Sequence, residues 1–594
     1  MRVRADLRAD WFALLASFVL ALAPFAAGAQ EPPDEAPHPA QEPAKGSPEQ
    51  PAPGSAPESA APRPPAAANP MASGPLLHGT LELSLQDAIR MGLENNLDVQ
   101  VERYAPMIAD LDVTAAWGAY DPEAFAETYY KDLHTPNAFA ISGVNTSITR
   151  STPEGEGGLR GILPLASTQF SAQFSGYRKT YNSTVQTLSP EYSSGWSINL
   201  TQPILRNLIW NQPWTQVRTS RLLHESSEDG FRRAVMDEVQ KIEDAYWDLI
   251  ANDEALRVAR KSLDTARALR EQTRTQFQVG VVSKVEVTEA EAGVSQREVE
   301  LIRAENQYRN QQDVLIDLVL GPNLRAASTL EIRPTDRPDE FTPYEVDVEG
   351  AVNHAFEHRP ELAQANKDVE RSEVQFAYAR NQRLPALDGV FSFGQSGLAG
   401  DQNPGFSCSF IQDDPSTTGR DEHQACLDGK YGQGRGLSQG PFDNTYNDYN
   451  RSPQYIAGAR LSIPIPNRTA SANASRSELE LARARTSLHR LEQQIVIEVR
   501  QSARNLLASQ EGIVAARSAR EAAAEQLRAE QIRLQYGEST PFDVLQREEA
   551  LVGRERDEIG AFRAYRTSVT ALDRAQGTIL RNRNIDIAEV APLR

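Results

Sequence analysis

Beyond residue 30 the sequence has no apolar run long enough to cross a bilayer as a helix. If the mature chain sits in a membrane, it must cross as a β-barrel, because only helices and closed barrels satisfy every backbone polar group in lipid. Positive charge is also short. There are 61 Lys and Arg against 81 Asp and Glu, a formal net charge of −20. That excludes a nucleic-acid partner, which would ask for clustered cations. Cysteine is nearly missing: Cys408 and Cys426 are the only two. HExxH, the Walker loop and CxxC are all absent. Gly432, Gly434 and Gly436 form a glycine run, but no strand-then-helix pattern frames it as a phosphate site. The eight histidines are scattered. His354 and His358 stand four apart on one short helical stretch, yet a metal centre needs a third ligand that the sequence does not name, so they read as surface histidines. No catalytic, cofactor-binding or metal-ligating residue is assigned, and no cofactor is expected.

What is present begins with an address. Arg2, Arg4 and Arg8 precede an apolar run from Trp11 to Ala23, and Ala27-Gly28-Ala29 is a small-residue cleavage site. Residues 1–29 therefore read as a secretory signal peptide, with no cysteine after the site to carry a lipid. Residues 30–75 are a Pro/Ala-rich linker; residues 31–70 alone hold 13 prolines. Such a stretch cannot bury a core and is expected to be disordered or partly polyproline II. The two cysteines share one Gly- and Asp-rich loop of an exported chain, which points to a local disulfide, with two free thiols as the alternative.

The remainder is one unit used twice. Residues 277–292 read FQVGVVSKVEVTEAEA and residues 534–550 read LQYGESTPFDVLQREEA. Each stretch lies between two long helical patterns. Gly280 and Gly537 can take the left-handed backbone that ends a helix. Ser283 and Thr540 are natural N-caps for the returning helix, and Pro541 suits its first position. Each copy is thus the tip of an antiparallel helical hairpin. Before the first tip, Val235, Ile242, Leu249, Leu256 and Leu263 repeat every seven residues, with Val239 and Tyr246 in the seam; after it Val287, Val294, Leu301, Tyr308 and Leu315 keep the step. Leu481, Leu488 and Ile495 do the same before the second tip, and Leu545, Val552 and Ile559 after it. Sustained heptads mean coiled-coil packing. Helices of that length reach about 95 Å at 1.5 Å per residue, further than any compact domain requires.

Short strand patterns separate these helices, at Glu123–Tyr130, Gly157–Leu163, Thr168–Tyr177 and Tyr192–Leu200 in the first half and at Ala386–Gly394 and Gln454–Ile463 in the second. Matched positions differ by 263, 261 and 257 residues (348−85, 461−200, 537−280). The first repeat spans 81–322, with strands at about 121–204, a helical hairpin at about 215–318 and its tip at 277–286. A connector, 323–346, reads as irregular. The second repeat spans 347–582, with strands at about 386–465, a hairpin at about 472–580 and its tip at 534–543. The fold class is mainly α with β. Four strands, or six with the 157–177 hairpin, cannot close a membrane barrel that needs about eight, so chains must share one.

HRPEL at residues 358–362, Leu384-Pro385 before a strand, LTQPIL at 200–205, LSIPIP at 461–466 and the paired tips together resemble the TolC family of outer-membrane efflux and secretion channels. The resemblance covers nearly all of residues 81–580, although the extra hairpin departs from the family's two strands per repeat. It implies a homotrimer with a shared β-barrel in outer-membrane lipid and a helical tunnel in the periplasm. It implies a periplasmic adaptor (membrane fusion) protein that links the tips to an inner-membrane pump or ABC transporter, in a tripartite efflux or type I secretion system. On this reading the adaptor meets Val279, Gly280, Val281, Tyr536, Gly537 and Glu538. Asp543 falls where the family rings its periplasmic entrance with acid, and serves as the gate; Gln546 stands where a second acid is usual. Glu286 and Glu289 are the first-copy counterparts of these acids. The alternative for Asp543 is a first-turn acid that simply favours its helix N-terminus. Trp117, Tyr120, Trp196, Trp210 and Trp214 near the strand ends read either as an interfacial girdle or as packing where strands meet helices. The competing function is a non-transporting coiled-coil envelope protein, structural or adaptor-like.

Overall fold

The computed structural model describes residues 78–136, 147–164, 166–181, 186–321, 329–337, 343–411, 422–428 and 453–586. The signal peptide, the Pro/Ala-rich linker and the Gly432–Gly436 run lie outside the described residues. Among the described residues no helix is long and apolar enough to cross a membrane.

The architecture is mainly helical with one large antiparallel sheet. The first half runs β1 (His78–Leu83), α1 (Leu85–Asn95), α2 (Leu97–Trp117), β2 (Glu123–Pro136), β3 (Ser147–Ile162), β4 (Gln169–Tyr181), β5 (Leu188–Pro203), α3 (Gln212–Gln278) and α4 (Lys284–Leu320). The second half runs β6 (Thr329–Pro334), α5 (Val348–His358), α6 (Pro360–Asn381), β7 (Ala386–Gln402), α7 (Glu422–Leu427), β8 (Pro453–Ser462), α8 (Arg468–Gln535), α9 (Pro541–Gln576) and the single turn α10 (Ile579–Asn582). Local chemistry sets the boundaries. Ser84 Oγ accepts from the N–H of Asp87 at 3.2 Å to start α1, and Asn96 Oδ1 accepts from that of Asp98 at 2.7 Å to start α2. Proline opens α3, α6 and α9, where a missing N–H costs nothing.

The large sheet has the order β2-β3-β4-β5-β7-β8, every neighbour antiparallel. The 157–177 hairpin therefore joins it, and the sheet has six strands among the described residues. β3 begins at Ser147 rather than Gly157, and β7 continues to Gln402, past the expected end at Gly394. These extensions are rich in Ser, Thr and Gly, and they are strands because a neighbour pairs them, not because their side chains alternate. The 323–346 stretch, expected to be irregular, carries β6, which pairs in parallel with β1 from His78↔Thr329 to Leu83↔Pro334. Six residues whose partner lies a whole repeat away leave no periodic trace.

The main core sits midway along the long helices. Val235, Val239, Ile242, Tyr246 and Leu249 of α3 pack with Ala88, Ile89 and Leu93 of α1, Leu315 and Val319 of α4, Ile332 of β6, and Ile579 and Leu580 of α10. α5 closes a smaller cluster on α8, where Ala351 and Ala355 meet Ile495 and Val499.

A chain of charge runs through the same level. Arg574 of α9 donates through Nε to Asp237 of α3 at 2.6 Å and through Nη2 to Glu361 of α6 at 2.6 Å. Arg359 donates to Glu361 at 3.3 Å and, through Nη1, to Glu498 of α8 at 2.8 Å. Beside it, Arg583 grips the fully buried Glu243 at 2.6 and 2.9 Å, and Thr570 Oγ1 donates to the same carboxylate at 2.7 Å. Burial alone would raise the Glu361 carboxyl, but the hydrogen bonds and charges of Arg359 and Arg574 outweigh it and hold the group at about 2. Arg359 and Glu361 are the R and E of HRPEL, so the motif clasps α6 to α8 and α9, and Arg574 carries the chain on to Asp237 of the first half. Arg574→Ala takes one of the two cations from Glu361 and the partner from Asp237, and the expected loss of stability is about 1–3 kcal/mol, read from urea unfolding followed by helical circular dichroism.

Candidate functional site

Both hairpin tips are built the same way. Val281 N–H donates to Gln276 O at 2.9 Å and Gly280 N–H to Phe277 O at 3.0 Å. At the second tip Glu538 N–H donates to Arg533 O at 2.9 Å and Gly537 N–H to Leu534 O at 3.1 Å. This is the Schellman pattern, and it needs the left-handed residue that Gly280 (φ +79°) and Gly537 (φ +77°) supply. A Cβ at either glycine would meet nothing within 4 Å, so only the backbone conformation, not space, resists substitution. A capping box then starts each returning helix. The result is a pair of blunt knobs with apolar side chains facing outward: Val279 and Val281 are 71% exposed and Tyr536 80%. Glu538 is exposed beside Tyr536. Past the first tip Lys284, Val285, Thr288, Glu289 and Ala292 line a shallow surface hollow.

Asp543 is engaged by its own helix. Its carboxylate accepts from Thr540 Oγ1 at 2.7 Å and from Thr540 N–H at 3.1 Å, while its N–H donates to Thr540 Oγ1 at 3.3 Å. The Thr540 side chain, then its backbone N–H, hold the carboxyl below its ordinary range. At the first tip the Glu286 carboxylate accepts from Ser283 N–H and Oγ, both at 3.2 Å.

Sequence reasoning missed the seam between the two hairpins just behind the tips. Glu548 of α9 and Arg297 of α4 are each only 4% exposed. Arg297 donates to Glu300 at 3.2 Å and lies 3.9 Å from Glu549; Arg556 also reaches Glu300, at 3.3 Å. Lys261 of α3 faces Glu555 at 4.0 Å. The Oε2 atom of Glu548 has no hydrogen-bond partner. Burial first, then the charge of Glu555, push this carboxyl up to about 7, against the pull of Arg297, Lys261 and Thr265. The signal in the sequence was an acid standing in the buried stripe Val544, Glu548, Val552.

The aromatic residues sit in two places. Trp117 packs on Tyr120 at 5.7 Å and edge-on to Trp214 at 6.3 Å, over Ala116 and Val217, so these three fill the joint between sheet and helices. Trp196 lies within the sheet, edge-on to Phe393 at 5.4 Å. Cys408 and Cys426 are joined, with Cα atoms 5.7 Å apart, beyond the end of β7 that faces away from α6.

The sign of the Glu548 effect is definite. A carboxyl raised above its unfolded value binds more protons in the folded state, so its contribution to stability is full below about pH 4.5 and is lost as pH rises through about 7. Glu548→Gln should therefore match the parent at pH 4 and exceed it by about 1–3 kcal/mol at pH 8, in thermal unfolding scans across that range.

The profile of the family described as "Outer membrane efflux protein" matches residues 168–319 and 351–578. A comparison with curated protein sequences finds no match. Among solved structures, the chain is similar to the CmeC outer membrane channel of Campylobacter jejuni, at 14% identity and TM-score 0.56, covering 85% of this chain and 90% of that one. It is similar to the outer membrane protein VceC of Vibrio cholerae, at 15% identity and TM-score 0.56, covering 83% and 96%. The open-state MtrE outer membrane channel of Neisseria gonorrhoeae is a further likeness, at 15% identity and TM-score 0.55, covering 84% and 89%. At these identities the structures speak for the fold, and the profile speaks for the family. The chain belongs to the outer membrane efflux protein family, as an outer-membrane transport channel rather than an enzyme.

Proposed function

We propose that three copies of this chain form one passive duct from periplasm to exterior, engaged at its helical tips by a periplasmic adaptor that connects it to an inner-membrane pump or ABC transporter. The observation that carries this reading is an open-edged antiparallel sheet whose strands lead into four long helices with exposed apolar tips. β2 and β8 are the two edges, and every residue of β8 is exposed in the single chain. An uncovered edge that long is a template for pairing. The strands alternate in direction across the sheet, so β2 and β8 run oppositely and the β8 edge of one copy can pair antiparallel with the β2 edge of the next. A head-to-tail contact of this kind closes into a ring. Three copies of six strands make eighteen (3 × 6), a size class that leaves an aqueous channel. A non-transporting coiled-coil spacer has no use for such a sheet.

The tips supply the docking surface in this proposal. Val279, Gly280, Val281, Tyr536, Gly537 and Glu538 present apolar area and a charge at the ends of the hairpins. Val281→Asp with Tyr536→Asp should abolish efflux, measured as intracellular dye accumulation, while trimer mass in detergent stays at the parent value. Retained efflux would move docking elsewhere, and a stable monomer with full β content would end the shared barrel.

Asp543 serves as the gate in the same proposal. Ring symmetry brings three copies of this first-turn carboxylate toward the axis, where crowded negative charge attracts cations. Asp543→Asn keeps an acceptor oxygen for Thr540 and removes the charge. Single-channel recording should show cation preference and divalent block from the periplasmic side both reduced; unchanged selectivity would leave Asp543 as a helix cap alone.

A further inference from the structure

We propose that His354, Glu357 and His358 form a surface site for a transition-metal dication, with Cu²⁺ the tightest. The ligand atoms of these three side chains lie within 4.8 Å of one another, the one such group of three among the described residues. The sequence showed the histidines four apart and lacked a third donor; the fold supplies it in Glu357, on the same exposed side of α5. Three features make this a prepared site rather than a chance meeting of surface groups. First, His358 Nδ1 lies 3.1 Å from the carbonyl oxygen of His354. Donation of its N–H to that carbonyl leaves Nε2 as the unprotonated, outward nitrogen. This is the arrangement by which backbone carbonyls orient metal-ligating imidazoles. Second, the backbone of His358 is held from behind. A Cβ on Gly577 would lie 2.8 Å from His358 C and 2.9 Å from its carbonyl oxygen. The end of α9 is thus seated directly on this ligand's main chain. Third, the ion would sit in the last turn of α5, where the helix dipole presents its negative end to a cation.

The donor set selects the ion. Two imidazoles and one carboxylate suit Cu²⁺ or Zn²⁺, and among first-row dications such a set favours Cu²⁺. Mg²⁺ and Ca²⁺ want oxygen ligands and should pass it by. All three donors come from one side of one helix, so the remaining coordination positions face water and the site is open. The cation next in sequence, Arg359, is already engaged by Glu361 and Glu498.

The test uses the full-length mature protein in detergent, freed of metal and titrated with Cu²⁺. Equilibrium dialysis should find one ion per chain that the His354→Ala/His358→Ala variant lacks. Each single histidine variant should bind at least about tenfold more weakly, since even an outer-shell change typically costs 10–100-fold. Electron paramagnetic resonance of the bound Cu²⁺ should show nitrogen coupling from two imidazoles in the parent and from one in each single variant. Glu357→Gln should keep the nitrogen coupling and lose affinity. Excess Zn²⁺ should displace the ion and excess Mg²⁺ should not. Equal Cu²⁺ binding by the parent and the double variant, or a parent spectrum without nitrogen coupling, would overturn the assignment. The variants change exposed side chains, and their helical circular dichroism should match the parent.

Discussion

A chain of charge ties the two halves of this molecule at the level of its main core. The chain of charge from Asp237 through Arg574, Glu361 and Arg359 to Glu498 crosses α3, α9, α6 and α8 where the apolar core is deepest. Burying Arg574, Arg359 and Glu361 is costly unless each is paired, and here each cation lies between two carboxylates. The arrangement demands one register between the hairpins: a shift of one helical turn would strand Arg574 against nothing. The pairing of β1 with β6 and the seating of α10 on α3 repeat the same constraint with backbone and apolar contacts.

Away from that level the character of the contact changes. Toward the tips, charged groups meet across the hairpins around Glu548: Lys261 with Glu555 at 4.0 Å, Arg297 with Glu549 at 3.9 Å and Arg556 with Glu300 at 3.3 Å. Glu548 itself is buried with an unpaired oxygen. Such a seam is worth less per contact than the central core, and local stability follows contact quality. Toward the other end, the sheet leaves both of its edges, β2 and β8, unpaired among the described residues.

Much of this was legible in the amino-acid order. Helices announce themselves through a repeat that runs along their own length, and here the heptads of α3, α4, α8 and α9 ran for dozens of residues between Gly-Ser and Gly-Thr turns. Both tips could be placed to the residue because Schellman turns and capping boxes are local: every partner lies within six residues. The duplication, the strand positions and the family resemblance followed from comparing the chain with itself and from short motifs such as HRPEL.

What the tertiary structure alone decided were the pairings between distant residues. β6 became a strand because β1 lay beside it, and β3 extended to Ser147 because β2 and β4 carried its ladder. Arg359 and Glu361 could be read as a signature but not as a clasp until Arg574 and Glu498 arrived from more than a hundred residues away. Glu548 looked like one acid among many on a charged helix until α3 and α4 covered it. Glu357 could not be told from its neighbours until the helix turned it toward His354 and His358. The sequence by itself determined each element's period, its ends and its repeat, because those depend on near neighbours and on alternation with water. It left open which buried charges meet and where the sheet stops, because desolvation and pairing exist only once the far parts of the chain are in contact.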